Sequence, residues 1–123
     1  MTDILILEDN NDLCTLYART FTEEGYQSRF APTLMDARRL LQDHTYDVFL
    51  CDMQLGNEHG LTLLKEQRAV LITGSTTTIV VSAQEKYRRA CEDLGVEFFI
   101  SKPIDMQALT HLIKRLVSPH KEA

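Results

Sequence analysis

Apolar and polar residues change period several times along this chain, and each change marks an element. Ile4-Leu5-Ile6-Leu7 is an unbroken apolar run, as in a strand covered on both faces. Leu13, Leu16, Tyr17, Thr20, Phe21 and Glu24 then recur at helical spacing, with Asn11 placed to cap that helix and Gly25 to end it. Tyr26 to Phe30 alternates and is less apolar, which predicts a short strand nearer a sheet edge. Thr33 caps a second helix that carries Leu34, Ala37, Arg38 and Leu41 on one side. Val48-Phe49-Leu50-Cys51 is the next buried strand, and Leu61 to Gln67 reads as helix. The stretch 69–78 is apolar at Val70-Leu71-Ile72 and polar at Thr73-Gly74-Ser75, so a helix end plus a loop is expected. Ile79-Val80-Val81 is a strand ending at Ser82-Ala83. Tyr87, Ala90, Cys91 and Leu94 form the inner face of a helix stopped by Gly95. Phe98-Phe99-Ile100 is the last strand, and Asp105 caps a last helix with Leu109, Leu112, Ile113 and Leu116 inward.

Strands alternating with helices predict an α/β fold: a five-stranded parallel sheet covered by helices on both faces. One domain over residues 1–123, with its core at about 3–117, fits the length of 123 residues. An apolar content of 44% is ordinary for a folded chain. The net charge of −5 gives no electrostatic footprint for nucleic acid or an anionic membrane. No apolar run approaches the roughly 20 residues of a membrane span, and Met1-Thr2-Asp3 lacks the pattern of a signal peptide. Cys14, Cys51 and Cys91 lie apart in apolar segments, as buried free thiols of a cytoplasmic protein would. His44, His59, His111 and His120 have no zinc-ligand spacing.

In parallel sheets of this kind ligands bind beyond the carboxyl ends of the strands. That edge is where the charged residues fall. Glu8-Asp9 follows the first strand, Asp52 the third, Ser82 the fourth and Lys102 the fifth. Carboxylates supply hard oxygen ligands for Mg²⁺ (or Mn²⁺), with Asp9 and Asp52 as direct ligands and Glu8 as a longer arm. Asp52 is also a candidate nucleophile toward phosphorus, with Lys102 and Ser82 to stabilise the phosphoryl oxygens. Pro103 lacks an N–H, ends the strand and fixes the turn that aims Lys102 at the site. Each residue alone has a plainer reading. Glu8-Asp9 suits a helix cap, Asp52 a turn, Lys102 the surface, and Ser82 alone says little. Their joint placement at four strand ends disfavours those readings.

With these residues in place, the chain resembles the receiver domain of two-component response regulators from Ile4 to about Val117. Glu8-Asp9, Asp52-Met53-Gln54-Leu55 with Gly60 beyond, Ser82-Ala83, and Phe99-Ile100-Ser101-Lys102-Pro103 carry the likeness. The resemblance implies a flavodoxin-like, doubly wound (βα)5 fold with strand order 2-1-3-4-5. It implies that Asp52 is phosphorylated by a sensor histidine kinase or a histidine phosphotransfer protein. Asp9, Asp52 and the carbonyl of Gln54 would hold Mg²⁺, with Glu8 as outer partner. Asp52, Ser82 and Lys102 would carry the phosphoryl chemistry. Ser82 and Phe99 would form the switch, although a plain core role for Phe99 stays open. Phosphorylation would remodel the face of the fourth helix, fifth strand and fifth helix, where an output domain or downstream protein would dock; a homodimer is left open too.

Two departures stand out. The family usually has Pro where this chain has Gly56, which is expected to loosen the loop after Asp52, and the stretch 69–78 is unusual. Gln54 and Gln84 sit two residues past Asp52 and Ser82, where the family tunes phosphate lifetime. An interaction domain that works without phosphorylation is the alternative; such domains usually lack Asp9, Asp52 or Lys102. An aspartyl-phosphate phosphatase would need a second Asp where Gln54 stands, and no nucleotide-binding glycine motif occurs. A self-acting switch rather than a turnover enzyme is expected. No output domain is visible up to Ser118-Pro119-His120-Lys121-Glu122-Ala123, so a stand-alone receiver and a receiver cut from a longer regulator both stay open, and direct nucleic-acid binding by this chain is not expected.

Overall fold

The computed structural model describes residues 2–117; His120 and the rest of the tail lie outside them. Five strands form one parallel sheet: β1 (Asp3–Leu7), β2 (Gln27–Ala31), β3 (Val48–Asp52), β6 (Thr77–Ser82) and β7 (Phe98–Ser101). Between β3 and β6 lies a small antiparallel hairpin, β4 (Gln54–Leu55) and β5 (Glu58–His59). The sheet order is β2-β1-β3-β6-β7. Counting sheet strands alone, that is 2-1-3-4-5, the flavodoxin-like order with its switch point between β1 and β3.

The period-two pattern sorts the sheet's two faces. Leu5, Leu7, Phe49, Cys51 and Val80 pack toward α2 (Leu34–Asp43), α3 (Gly60–Glu66) and α5 (Lys86–Leu94). Ile4, Ile6, Val48, Leu50, Ile79 and Val81 pack toward α1 (Asn11–Glu23) and α6 (Met106–Val117). Both faces of the central strands are thus dry, and each fully buried aliphatic side chain contributes roughly 1.5–3 kcal/mol. β2 is an edge strand with exposed Gln27 and Arg29, as its weaker alternation predicts.

Local signals set most boundaries. Thr33 caps α2, its hydroxyl oxygen accepting from the Asp36 amide at 3.1 Å. Asp105 accepts from the Gln107 and Ala108 amides at the start of α6. Gly95 ends α5 at φ 109°. The first cap differs by one residue from the sequence reading. Asn10, extended at φ −84°, accepts from the Leu13 amide, and Asn11 is already helical.

Two segments depart further. The stretch 69–78 contains the helical turn α4 (Arg68–Leu71), and β6 begins at Thr77, two residues before the apolar run. Buried hydroxyls account for the early start: Thr78 donates to the Leu71 carbonyl at 2.6 Å and Thr76 to the Tyr46 carbonyl at 2.7 Å. The loop after Asp52 forms the paired hairpin β4–β5. Gly56 turns the hairpin at φ 56°, a conformation open to glycine and closed to proline, whose φ is held near −65°.

Candidate functional site

The carboxyl ends of β1, β3 and β7 meet above the sheet. β1 and β3 are paired neighbours, which sets Glu8-Asp9 beside Asp52. One carboxylate oxygen each from Glu8, Asp9 and Asp52 lies within 4.8 Å of the others. Lys102 reaches in from the end of β7, its Nζ 3.2 Å from Asp52 Oδ2 and 3.5 Å from Glu8 Oε1. Glu8 and Asp52 are buried, Asp9 is exposed and Lys102 is half-buried. The Lys102–Pro103 peptide bond is cis.

Burial raises the Glu8 carboxyl pKa, and the neighbouring Asp52 charge raises it further against the pull of the Asn10 amide and Lys102. For Lys102, burial disfavours the ammonium, but attraction to Asp52 and then Glu8 outweighs it and its pKa is raised. Lys102 pairs with two of the three acids, Asp52 and Glu8, so the ionised cluster carries more negative than positive charge. Three hard oxygen donors with that excess suit a small divalent cation such as Mg²⁺.

Backbone contacts hold the acids in place. The Gln54 amide donates to Asp52 Oδ1 at 3.2 Å and the Asn10 amide to Glu8 Oε2 at 3.1 Å. Gly60 lies against the site from below: its N–H donates to the Met53 carbonyl at 2.9 Å, and a Cβ there would collide with the Asp52 carbonyl oxygen. Ser82 is buried at the end of β6; its Oγ accepts from the Gln84 amide at 3.0 Å and donates to the Gln84 carbonyl at 3.2 Å. The Lys102 amide donates to the Ser82 carbonyl, which ties the two phosphoryl-contact candidates together. Phe99 is half-buried on the side of α5.

The sequence-predicted residues Glu8, Asp9, Asp52 and Lys102 thus converge, and Ser82 and Gln54 border them. Phe99 lies apart, two residues before Ser101 on β7. Several partners escaped sequence reading. The Gln84 side-chain amide donates to Gln54 Oε1, closing one side of the site, and His59 Nδ1 lies 3.1 Å from the Tyr87 hydroxyl. Arg88 lies over the Phe99 ring. No local period signals such contacts, since the partners come from separate elements.

The family model for the response regulator receiver domain matches residues 4–114. The chain belongs to the response regulator receiver family. This receiver is 28% identical to the response regulator ArlR of Staphylococcus aureus over 126 residues, 99% of this chain and 56% of ArlR. Its fold superposes on the receiver domain of the TMAO respiratory system response regulator TorR with a TM-score of 0.86, at 24% identity, covering 97% of this chain and 98% of that one. It also matches the Thermotoga maritima response regulator TrrA in complex with Mg²⁺-BeF, at TM-score 0.78 and 21% identity, over 95% and 100% of the two chains. The receiver spans 52% and 27% of the length of two transcriptional regulatory proteins it matches, YclJ of Bacillus subtilis and ZraR of Salmonella typhimurium. As a receiver domain of the two-component system it is a phosphorylatable signalling switch, and none of its described helices is long and apolar enough to cross a membrane.

Proposed function

We infer that Asp52 is the phosphoacceptor of this receiver and that phosphorylation is Mg²⁺-dependent. The observation that carries the reading is the placement of Lys102 Nζ 3.2 Å from Asp52 Oδ2, at the rim of a three-carboxylate cluster. Asp9, Asp52 and the Gln54 carbonyl would hold the ion, with Glu8 as outer partner; bound there, Mg²⁺ would offset charge on the phosphoryl oxygens. An Asp52 oxygen attacks the phosphorus of a phosphohistidine. The new O–P bond forms as the N–P bond breaks, and the donor's ring, protonated at its other nitrogen, takes the bonding pair and leaves as neutral imidazole. Lys102 turns its ammonium from the carboxylate to a phosphoryl oxygen, a compact charge with three donors. Ser82 gives up its bond to the Gln84 carbonyl and donates to a second phosphoryl oxygen.

The phosphodonor is a sensor histidine kinase or a histidine phosphotransfer protein. The face of α5, β7 and α6 then serves an output domain, a downstream protein or a second copy. The domain promotes its own phosphorylation and dephosphorylation without acting as a turnover enzyme. Residues 1–123 act as one unit and work in the cytoplasm, with no nucleic acid bound by this chain. Supporting this, the acid set and Lys102 are complete, which disfavours a phosphate-independent interaction domain.

The test is incubation with Mg²⁺ and a small phosphodonor, followed by intact mass spectrometry. Wild type gains one phosphoryl group and Asp52→Asn gains none. Equal labelling of the two proteins, or labelling that persists in EDTA, would sink the assignment.

A further inference from the structure

We propose that Arg88 is a positioning residue: a latch that holds the half-buried Phe99 ring in its place against α5 and favours the unphosphorylated packing of the receiver. The inference rests on the reading of Asp52 and Ser82 given above. Arg88 Cζ sits 4.5 Å from the Phe99 ring centroid. Its guanidinium is itself fixed, with Nε and Nη2 each 3.0 Å from the two Glu85 carboxylate oxygens. Glu85 Oε2 in turn accepts from the Ser101 hydroxyl at 3.1 Å. The clasp therefore joins α5 to β7 at two points, Phe99 and Ser101. Ser101 stands opposite Ser82 in the sheet and directly before Lys102. The clasp thus borders both groups expected to move toward a phosphoryl group. In this structure both Ser82 hydroxyl bonds go to Gln84, so the latched ring accompanies a Ser82 that has not moved.

A guanidinium stacked on a half-buried ring resists any rotation of that ring away from it, because rotation gives up the cation–π contact. A contact of this kind at an exposed site shifts a two-state balance by about two- to fivefold. The bidentate hold by Glu85 pre-organises the cation and limits what Arg88 must lose to stay in place.

The test is titration of Mg²⁺ and beryllofluoride into wild type, Arg88→Met, Arg88→Lys and Glu85→Gln, with ring-labelled phenylalanine read by NMR. Phe99→Leu assigns the Phe99 signals. Arg88→Met is expected to lower the half-saturation concentration about two- to fivefold and to move the Phe99 signals before fluoride is added. Arg88→Lys keeps the charge and stays nearer wild type, and Glu85→Gln falls between. In a Phe99→Leu background the Arg88→Met effect disappears. An unchanged or higher half-saturation concentration in Arg88→Met overturns the latch, as does the same drop in the Phe99→Leu background. If wild type shows no saturable binding, the reading of Asp52 fails instead; the latch is then decided by the fluoride-free Phe99 signals, which must move in Arg88→Met.

Discussion

Gly60 offers a test in which two effects predict opposite signs. It opens α3, with no positive φ to require glycine. On backbone entropy alone, Gly60→Ala would stabilise the fold by about 0.4–1 kcal/mol. The surroundings argue otherwise. The added Cβ would collide with the Asp52 carbonyl oxygen, meet Cys51 Sγ at 2.8 Å and meet Met53 Cε at 3.1 Å. The Met53 end can swing aside, but a strand carbonyl and a fully buried thiol have nowhere to go. Overpacking of this kind costs about 1–3 kcal/mol, which exceeds the entropic gain. Net of the entropic gain the loss reaches about 2.6 kcal/mol, and at about 4 °C per kcal/mol for a domain of this size the melting temperature should fall by up to roughly 10 °C. Circular dichroism melts of the two proteins measure it. The displaced carbonyl belongs to Asp52, so the rise in melting temperature on adding Mg²⁺ should shrink as well. A variant that melts higher than wild type would show that the strand end yields freely and would refute the reasoning.

Glu8→Gln probes the charge balance of the site. The folded-state pKa of Glu8 is raised, so the native state holds that proton more tightly than the unfolded chain. Stability from this group is present below the unfolded value and is lost as pH rises through the raised folded value. In EDTA, the difference between wild type and Glu8→Gln should therefore move against wild type from mildly acidic to neutral pH, and Mg²⁺ should narrow it. Urea unfolding at several pH values measures this; a difference that stays constant or moves in favour of wild type as pH rises would contradict it. At the hairpin, Gly56→Ala meets no atom within 4 Å, so only its φ of 56° is at issue. A left-handed alanine costs about 1–2 kcal/mol, and thermal melts should fall by roughly 4–8 °C, an unchanged melt counting against the turn's role.

Much of the fold was legible because its signals are local. The run Ile4–Leu7, the caps Thr33 and Asp105 and the stop at Gly95 act within one turn or one strand, and all stand where the pattern put them. The readings that moved are those in which distant groups intervene. Asn10 rather than Asn11 caps α1, in a turn whose Asn10 amide is also held by Glu8. β6 starts early because Thr76 and Thr78 satisfy carbonyls of Tyr46 and Leu71. The loop after Asp52 pairs with itself as a hairpin, and Leu34 donates its amide to Glu58 in that hairpin.

The site divides in the same way. The chain alone determined that Glu8, Asp9, Asp52, Ser82 and Lys102 end strands, because an apolar run buried on both faces must deliver its first polar residues at the sheet's edge. Which of these acids Lys102 pairs with was decided only by the tertiary structure. Its partners lie 50 and 94 residues away in sequence, and the order β2-β1-β3-β6-β7 brings them together. The same holds for Gln54 with Gln84 and for Arg88 with Phe99. A contact between side chains on separate elements leaves no period in the sequence, since it depends on how those elements pack and not on the spacing of residues within either one.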